Sequence, residues 1–119
     1  TYNASPESVK ACIEVLLEFS GRHFLVLGSM KELGENTIKY HLEIIQFIER
    51  SNLDGFVFLC DKNLEIGLKK EYLFRKKIYF VNDINQISKL INIWLKKGDN
   101  LLIKGSRYWH LENLIPLID

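Results

Sequence analysis

Short apolar runs alternate along this chain with longer segments in which apolar residues recur every three or four positions. The runs cover residues 23–27, 56–60, 78–81 and 101–103, and turn-forming Gly, Asn or Asp residues border most of them. Runs of this length with such borders are typical of buried strands. The pattern therefore predicts four strands: buried ones at 23–27, 56–60 and 101–103, and a short one at 78–81.

The segments between these runs predict amphipathic helices. The first has Ser5 as N-cap, Pro6 at its first position and an end near Gly21. The second follows a cap at Asn36 or Thr37, and the third follows a capping box of Asp83 with Gln86 and ends at Gly98. Their apolar faces are formed by Val9, Cys12, Ile13, Leu16 and Leu17; by Ile38, Leu42, Ile45 and Ile48; and by Ile87, Leu90, Ile91, Trp94 and Leu95.

Two segments are harder to interpret. Leu64 and Leu68 suit a short helix within residues 61–74, although Gly67 weakens it. Near the end, Leu111, Leu114 and Ile115 have helical spacing, and Pro116 ends or kinks that helix. Strands alternating with helices indicate an α/β fold. We expect a single domain, residues 1–119, in a Rossmann-like three-layer sandwich: a mostly parallel sheet of about four to six strands with helices on both faces.

Composition narrows the class of protein. Hydrophobic residues make up 47% of the chain and charged residues 26%, with a formal net charge of +1, as in a globular protein without a strongly basic face. We therefore expect no nucleic-acid and no membrane partner, and we find no signal peptide. Cys12 and Cys60 lie within apolar patterns, which favours reduced core thiols and a cytoplasmic location. The three histidines are scattered, so we expect no metal site.

The candidate chemistry lies just after the fourth run, in Lys104-Gly105-Ser106-Arg107. Ligands of open α/β sheets bind beyond the carboxyl ends of strands, and glycine lets the backbone approach them closely. Two cations and a hydroxyl there favour an anionic ligand, although a solvated basic turn remains the alternative. Neither the Gly-x-Gly-x-x-Gly fingerprint nor a Gly-x-x-x-x-Gly-Lys-Ser/Thr phosphate loop occurs in the sequence.

Three motifs, in order, resemble the C-terminal domain of the MurF-type Mur ligases. Residues 2–11 (YNASPESVKA) resemble the family's Asp-x-Tyr-Asn-Ala-Asn-Pro-x-Ser-Met-x-Ala, and residues 26–35 (VLGSMKELGE) resemble its Val-Leu-Gly-Asp-Met-x-Glu-Leu-Gly-Glu. Residues 103–107 (IKGSR) resemble its Val-Lys-Gly-Ser-Arg, and His41 falls where the family has a histidine. The resemblance covers essentially the whole chain and implies a piece of a longer enzyme, without its N-terminal UDP-sugar domain and its central ATPase domain.

The resemblance implies an ATP-dependent amide ligase of peptidoglycan synthesis. Such an enzyme adds D-alanyl-D-alanine to UDP-MurNAc-tripeptide through an acyl phosphate, and its C-terminal domain closes over the site. The implied residues that bind the dipeptide or the reacting phosphate are Lys104, Gly105, Ser106, Arg107, Ser29 and Met30. The implied nucleotide-binding residues are Tyr2, Asn3 and Ser5. No residue of this domain is implied as catalytic by itself, and we interpret His41 as packing on a helix face.

The implied co-substrate is ATP with Mg2+, bound mainly by the central domain, and we expect no cofactor in this piece alone. The partners are small molecules, and we expect a monomer. Near variants of this hypothesis are a sibling Mur ligase and a folylpolyglutamate synthetase; the alternative is a free-standing α/β binding or regulatory module.

The chain departs from the family at Ser5, at Ser29 (an aspartate in the family) and at Tyr108-Trp109. We expect Ser29 to lie on an exposed loop that tolerates aspartate. Trp109 either covers the edge of the crevice or caps the last helix.

Overall fold

The computed structural model describes residues 5–118 and shows an α/β fold. Its strands are β1 (His23–Gly28), β2 (Gly55–Leu59), β3 (Tyr79–Val81) and β4 (Asn100–Lys104). Its α-helices are α1 (Pro6–Leu17), α2 (Thr37–Glu49), α3 (Lys62–Glu71) and α4 (Ile84–Trp94). Three 3-10 helices cover Gly34–Asn36, Arg107–Trp109 and Leu111–Leu117.

The four strands form one sheet in the order β3-β2-β1-β4, and every pair is parallel. Parallel neighbours require crossover connections, which the helices between them provide. The prediction of a parallel sheet with helices on both faces is confirmed.

Alternate residues of the central strands face two different helical layers. Leu25 and Phe58 pack with α1, α2 and α3 in one core, whereas Val26 and Val57 pack with α4 and the last 3-10 helix in the other. Each of these four side chains is at most 1% exposed. The continuous apolar runs of β1 and β2 follow from this burial on both faces. The run of β4, predicted to be buried, is only partly buried because β4 is an edge strand.

Side-chain caps start three of the four α-helices. Ser5 Oγ accepts from Ser8 N at 3.2 Å, and Asp83 Oδ1 accepts from Gln86 N at 3.0 Å, as the sequence predicted. Asp61 Oδ1 accepts from Leu64 N at 2.9 Å. This cap, together with the buried Leu64 and Leu68, explains why the uncertain segment forms α3 despite Gly67.

Two local predictions differ from the structure. Asn36 makes no side-chain capping bond to α2, because the preceding 3-10 turn runs directly into the helix; Thr37 Oγ1 instead donates to Gly34 O at 2.7 Å. The last segment is a 3-10 helix that contains Pro116, rather than an amphipathic α-helix. Pro116 has no N–H to donate to an α-helical hydrogen bond, and in so short a segment this favours a 3-10 helix. No helix among residues 5–118 is long and apolar enough to cross a membrane.

Candidate functional site

The strand order creates a switch point between β1 and β4. The chain adds β2 and β3 on one side of β1 and then returns to place β4 on the other side. In open α/β sheets the crevice beyond the carboxyl ends of two such strands is the usual place for a ligand. The segments that the sequence singled out, residues 28–30 at the end of β1 and residues 104–107 at the end of β4, meet at this point.

A close backbone contact joins the two segments. A Cβ atom on Gly105 would lie 2.8 Å from Gly28 Cα, 2.8 Å from Gly28 N and 2.9 Å from Gly28 O. Real side chains do not approach a backbone so closely, so position 105 requires glycine. The loop after β4 is thereby held against the end of β1.

The loop after β4 presents its polar groups to a cavity of about 300 Å³. Ser106 is 9% exposed and its Oγ accepts from Tyr108 N at 3.2 Å, which caps the 3-10 helix that begins at Arg107. Arg107 itself is exposed. Two basic residues, Lys104 and Arg107, and one acidic residue, Glu112, line the cavity. The other lining residues are Ile103, Gly105, Ser106 and Leu111. Lys104 and Arg107 make its lining positively charged overall and suited to a carboxylate or phosphate.

The expectation that Ser29 is exposed is wrong. Its exposed fraction is 1%. Ser29 N donates to Leu59 O at 2.8 Å and so continues the sheet one residue past β1. The Trp109 indole Nε1 donates to Ser29 O at 3.0 Å and lies 3.3 Å from Ser29 Oγ. Met30 is also buried, at 9% exposure.

Trp109 covers the end of β1. A Cβ atom on Gly28 would meet Trp109 Cδ1 at 2.9 Å, so the ring lies directly on that glycine. Of the two roles left open for Trp109, covering the crevice is the one found here. Ser29 and Trp109, both departures from the family pattern, are therefore in contact.

Lys31 links three loops at the carboxyl edge, a role that sequence reasoning missed. Its ammonium lies 3.1 Å from Asp61 Oδ2, 4.3 Å from the ring centre of Tyr108 and 4.8 Å from that of Trp109. We call these four residues the Lys31 cluster. Both the hydrogen bond from Leu64 N and the Lys31 charge hold the pKa of Asp61 below its ordinary value. The cluster ties the loops that follow β1, β2 and β4.

His41 holds the loop after β1 in place through a hydrogen bond to its backbone. It is 1% exposed; its Nε2 accepts from Met30 N at 3.0 Å, and its Nδ1 donates to Thr37 O at 2.7 Å. Burial lowers the pKa of His41 to about 4, so the ring is neutral at pH 7. The predicted packing role is present, and the hydrogen bond to Met30 adds a positioning role.

Of the predicted nucleotide-binding residues, Tyr2 and Asn3 lie outside the described residues. Ser5 is exposed, and its hydroxyl caps α1. Val9, one turn later, lines a small cavity together with Gly28, Met30 and Gly105. The N-terminal end of α1 therefore lies at the same edge of the sheet as the switch point. Within residues 5–118 there is no group of three His, Cys, Asp or Glu side chains that could hold a metal ion.

Comparisons with known proteins agree with this geometry. The family model described as "Mur ligase, glutamate ligase domain" matches residues 1–107. The chain is 33% identical over 116 residues to the UDP-N-acetylmuramoyl-tripeptide–D-alanyl-D-alanine ligase of Buchnera aphidicola from Acyrthosiphon pisum, and 32% identical over 120 residues to that of Haemophilus influenzae. Each alignment covers 97% of this chain and 25% of the relative, so the chain spans about a quarter of their length.

Solved structures show the same likeness. The MurF ligase of Thermotoga maritima, in complex with ADP, is 36% identical with a TM-score of 0.77, over 98% of this chain and 26% of that one. MurF of Acinetobacter baumannii is 26% identical with a TM-score of 0.75, over 98% and 26%. A domain of a Haemophilus ducreyi ligase shares the fold, with a TM-score of 0.62 at 14% identity, over 98% and 87%. The chain belongs to the Mur ligase family, as its C-terminal, glutamate ligase domain.

Proposed function

We propose that this chain is the substrate-closing domain of an ATP-dependent ligase that adds D-alanyl-D-alanine to UDP-MurNAc-tripeptide in peptidoglycan synthesis. The observation that carries the proposal is the switch-point crevice, with Lys104, Ser106 and Arg107 around one cavity. The names of the relatives support the choice of amino substrate. The complete ligase activity requires further domains, since this chain spans about a quarter of the length of the relatives.

The proposed reaction has two steps. The terminal phosphoryl group of ATP passes to the carboxylate of the tripeptide, which leaves ADP and an acyl phosphate. The amine of D-alanyl-D-alanine then attacks the acyl carbon, loses a proton and expels inorganic phosphate from the tetrahedral intermediate. Both steps place negative charge on oxygen, and a cation fixed nearby stabilises that charge.

Arg107 and Lys104 are the groups of this chain suited to that task. The guanidinium of Arg107 can bind a carboxylate or a phosphate through two parallel hydrogen bonds, and Lys104 adds a second positive charge. We assign the dipeptide carboxylate or the reacting phosphate to these two side chains, together with Ser106 and the backbone of Gly105. Ser29 and Met30 are buried beside this crevice, so we assign them to its support at the end of β1 rather than to direct contact with the ligand.

The nucleotide would approach the same edge of the sheet. A MurF relative binds ADP, and we assign contacts with the nucleotide to Tyr2, Asn3 and Ser5. The position of α1 beside Gly28 supports this assignment for Ser5. The described residues fit the anionic phosphates of ATP but provide no acidic cluster for Mg2+, so we assign the metal to no residue here.

A phosphate-release assay on the full-length protein that carries this chain tests the proposal. We expect release that requires ATP, UDP-MurNAc-tripeptide and D-alanyl-D-alanine together. Equal release when a single amino acid replaces the dipeptide would instead indicate a sibling ligase. For the chain alone, we expect no phosphate release and at best millimolar binding of ATP in calorimetry, because positioning of the reactants is lost. Micromolar ATP binding by the chain alone would contradict the proposal and indicate an autonomous nucleotide-binding module.

A further inference from the structure

A second cavity lies at the opposite edge of the sheet, among the amino ends of β1, β2 and β3. Its volume is about 380 Å³, within the range of small-molecule sites. The residues that line it include Arg22 and Phe24 from the start of β1, Gly55 and Phe56 from the start of β2, and Tyr79 from the start of β3. None of them belongs to the switch-point crevice, so the proposed ligase function leaves this cavity without a role.

Aromatic rings form one wall of this cavity. Trp94, at the end of α4, has its ring centre 4.8 Å from that of Tyr79 and 5.8 Å from that of Phe24. Gly55 makes room for the rings, because a Cβ atom there would lie 2.6 Å from Phe24 and 2.9 Å from Trp94. A wall of this kind favours a flat apolar ligand.

A loop fixed by a buried carboxylate also lines the cavity. Glu49 is 8% exposed and accepts hydrogen bonds from Tyr72 Oη at 2.9 Å, from Arg75 N and from Lys76 N. These bonds hold residues 72–77 in place. The loop delivers two consecutive exposed lysines, Lys76 and Lys77, to the rim of the cavity.

The charges on the rim favour an anion. Both acids of the lining already accept backbone hydrogens: Glu49 from Lys76 N, and Asp54 from His23 N at 2.7 Å. Lys76 Nζ donates to Ser51 O at 2.8 Å, and Lys77 Nζ lies 5.0 Å from the ring centre of Tyr79. An ammonium group has three N–H donors, so both lysines keep donors for a ligand.

We propose that this cavity binds a planar aromatic molecule that carries a carboxylate. The ring packs against the wall that Phe24, Tyr79 and Trp94 form, and the carboxylate accepts hydrogen bonds from Lys76 and Lys77 at the rim. The proposal is independent of the ligase function, because it uses no residue of the switch point.

Titration of the 15N-labelled chain with 2-naphthylacetate, followed by NMR, tests the proposal. The dispersion of the same spectra reports that the chain is folded. We expect saturable shifts at Gly55, Tyr79 and the Trp94 indole N–H, with little change at Gly105. The neutral amide 2-naphthylacetamide should bind about tenfold more weakly, since it loses the charge-assisted hydrogen bonds. Equal affinities for the two probes, shifts elsewhere, or no shifts at millimolar carboxylate would overturn the proposal.

Lysine variants test whether the charges of Lys76 and Lys77 determine the preference for the carboxylate. The double variant Lys76→Gln/Lys77→Gln, at two exposed positions, should lose the preference for the carboxylate over the amide. The matched control Lys39→Gln/Lys70→Gln removes the same charge from exposed sites outside the cavity lining and should keep the preference. A preference that survives in the first variant, or that falls equally in both, would contradict the assigned role of the two lysines.

Discussion

At residue 29 the local chemistry depends on a side chain eighty positions further along the chain. The indole N–H of Trp109 donates to the carbonyl oxygen of Ser29, and its ring covers the neighbouring Gly28. A carboxylate placed here would lie beneath the ring, away from water, and burial of a charge is costly unless it is well paired. The serine and the tryptophan are therefore expected to depend on each other.

The first prediction is that Ser29→Asp lowers the free energy of unfolding by about 1–3 kcal/mol, the range for a poorly accommodated buried polar group. In a Trp109→Ala background, where water reaches position 29, the same change should cost markedly less, because residues in contact are energetically coupled. Urea unfolding of the four proteins of this double-mutant cycle measures the coupling. An equal cost in both backgrounds would show that Trp109 does not determine the environment of Ser29.

The second prediction concerns His41. Its pKa in the folded protein is about 4, below the ordinary value of 6.5, so the unfolded chain binds the proton more readily between these values. The contribution of His41 to stability should be present above pH 6.5 and fall as the pH decreases towards 4, by about 1.5 kcal/mol between pH 6.5 and pH 5. Urea unfolding across that interval measures the loss.

A single variant isolates the contribution of His41. His41→Gln should flatten the pH dependence of stability between pH 6.5 and 5, because glutamine has no group that titrates in this range. A slope that His41→Gln does not alter would show that this ring is protonated in the folded protein at pH 5.

At the scale of elements, two glycines lie where neighbouring segments approach each other closely, and substitution of each measures how much room there is. A Cβ on Gly105 meets the backbone of Gly28, which cannot give way, whereas a Cβ on Gly67 in α3 meets the flexible tip of Ile38, Cδ1 at 2.8 Å. We predict that Gly105→Ala destabilises by about 1–3 kcal/mol. Gly67→Ala should be close to neutral, because its helix propensity gain of about 1 kcal/mol offsets the contact. Thermal unfolding compares the stabilities of the two variants. An equal loss of stability would show that the backbone of Gly28 does not exclude a side chain at position 105.

Most elements could be predicted from the sequence because their signals are local. The run 56–60 and the capping box at Asp83 specify β2 and the start of α4 without reference to distant residues. The basic loop 104–107 could likewise be placed at the carboxyl end of a strand. The burial of Ser29 and the Lys31 cluster could not be predicted, since they depend on side chains brought together by the fold from three loops.

For the whole molecule, the two cores share one sheet and should unfold together. Residues of β1 and β2 face both layers in alternation, so neither core survives separation of these strands. We predict one cooperative transition, with coincident curves from far-UV circular dichroism and tryptophan fluorescence. Two resolved transitions would contradict the prediction.

The central claim, that the switch point binds the reacting groups of a ligase, is tested most directly at Arg107. In the full-length protein, Arg107→Ala should lower kcat/KM for D-alanyl-D-alanine by about two orders of magnitude or more, the scale of one lost charge-stabilising donor. Arg107→Lys should recover part of this loss, because lysine keeps the charge but not the two parallel hydrogen bonds. The control Arg50→Ala, at an exposed position just after α2, should retain parental kinetics. Parental kcat/KM in Arg107→Ala would contradict the account.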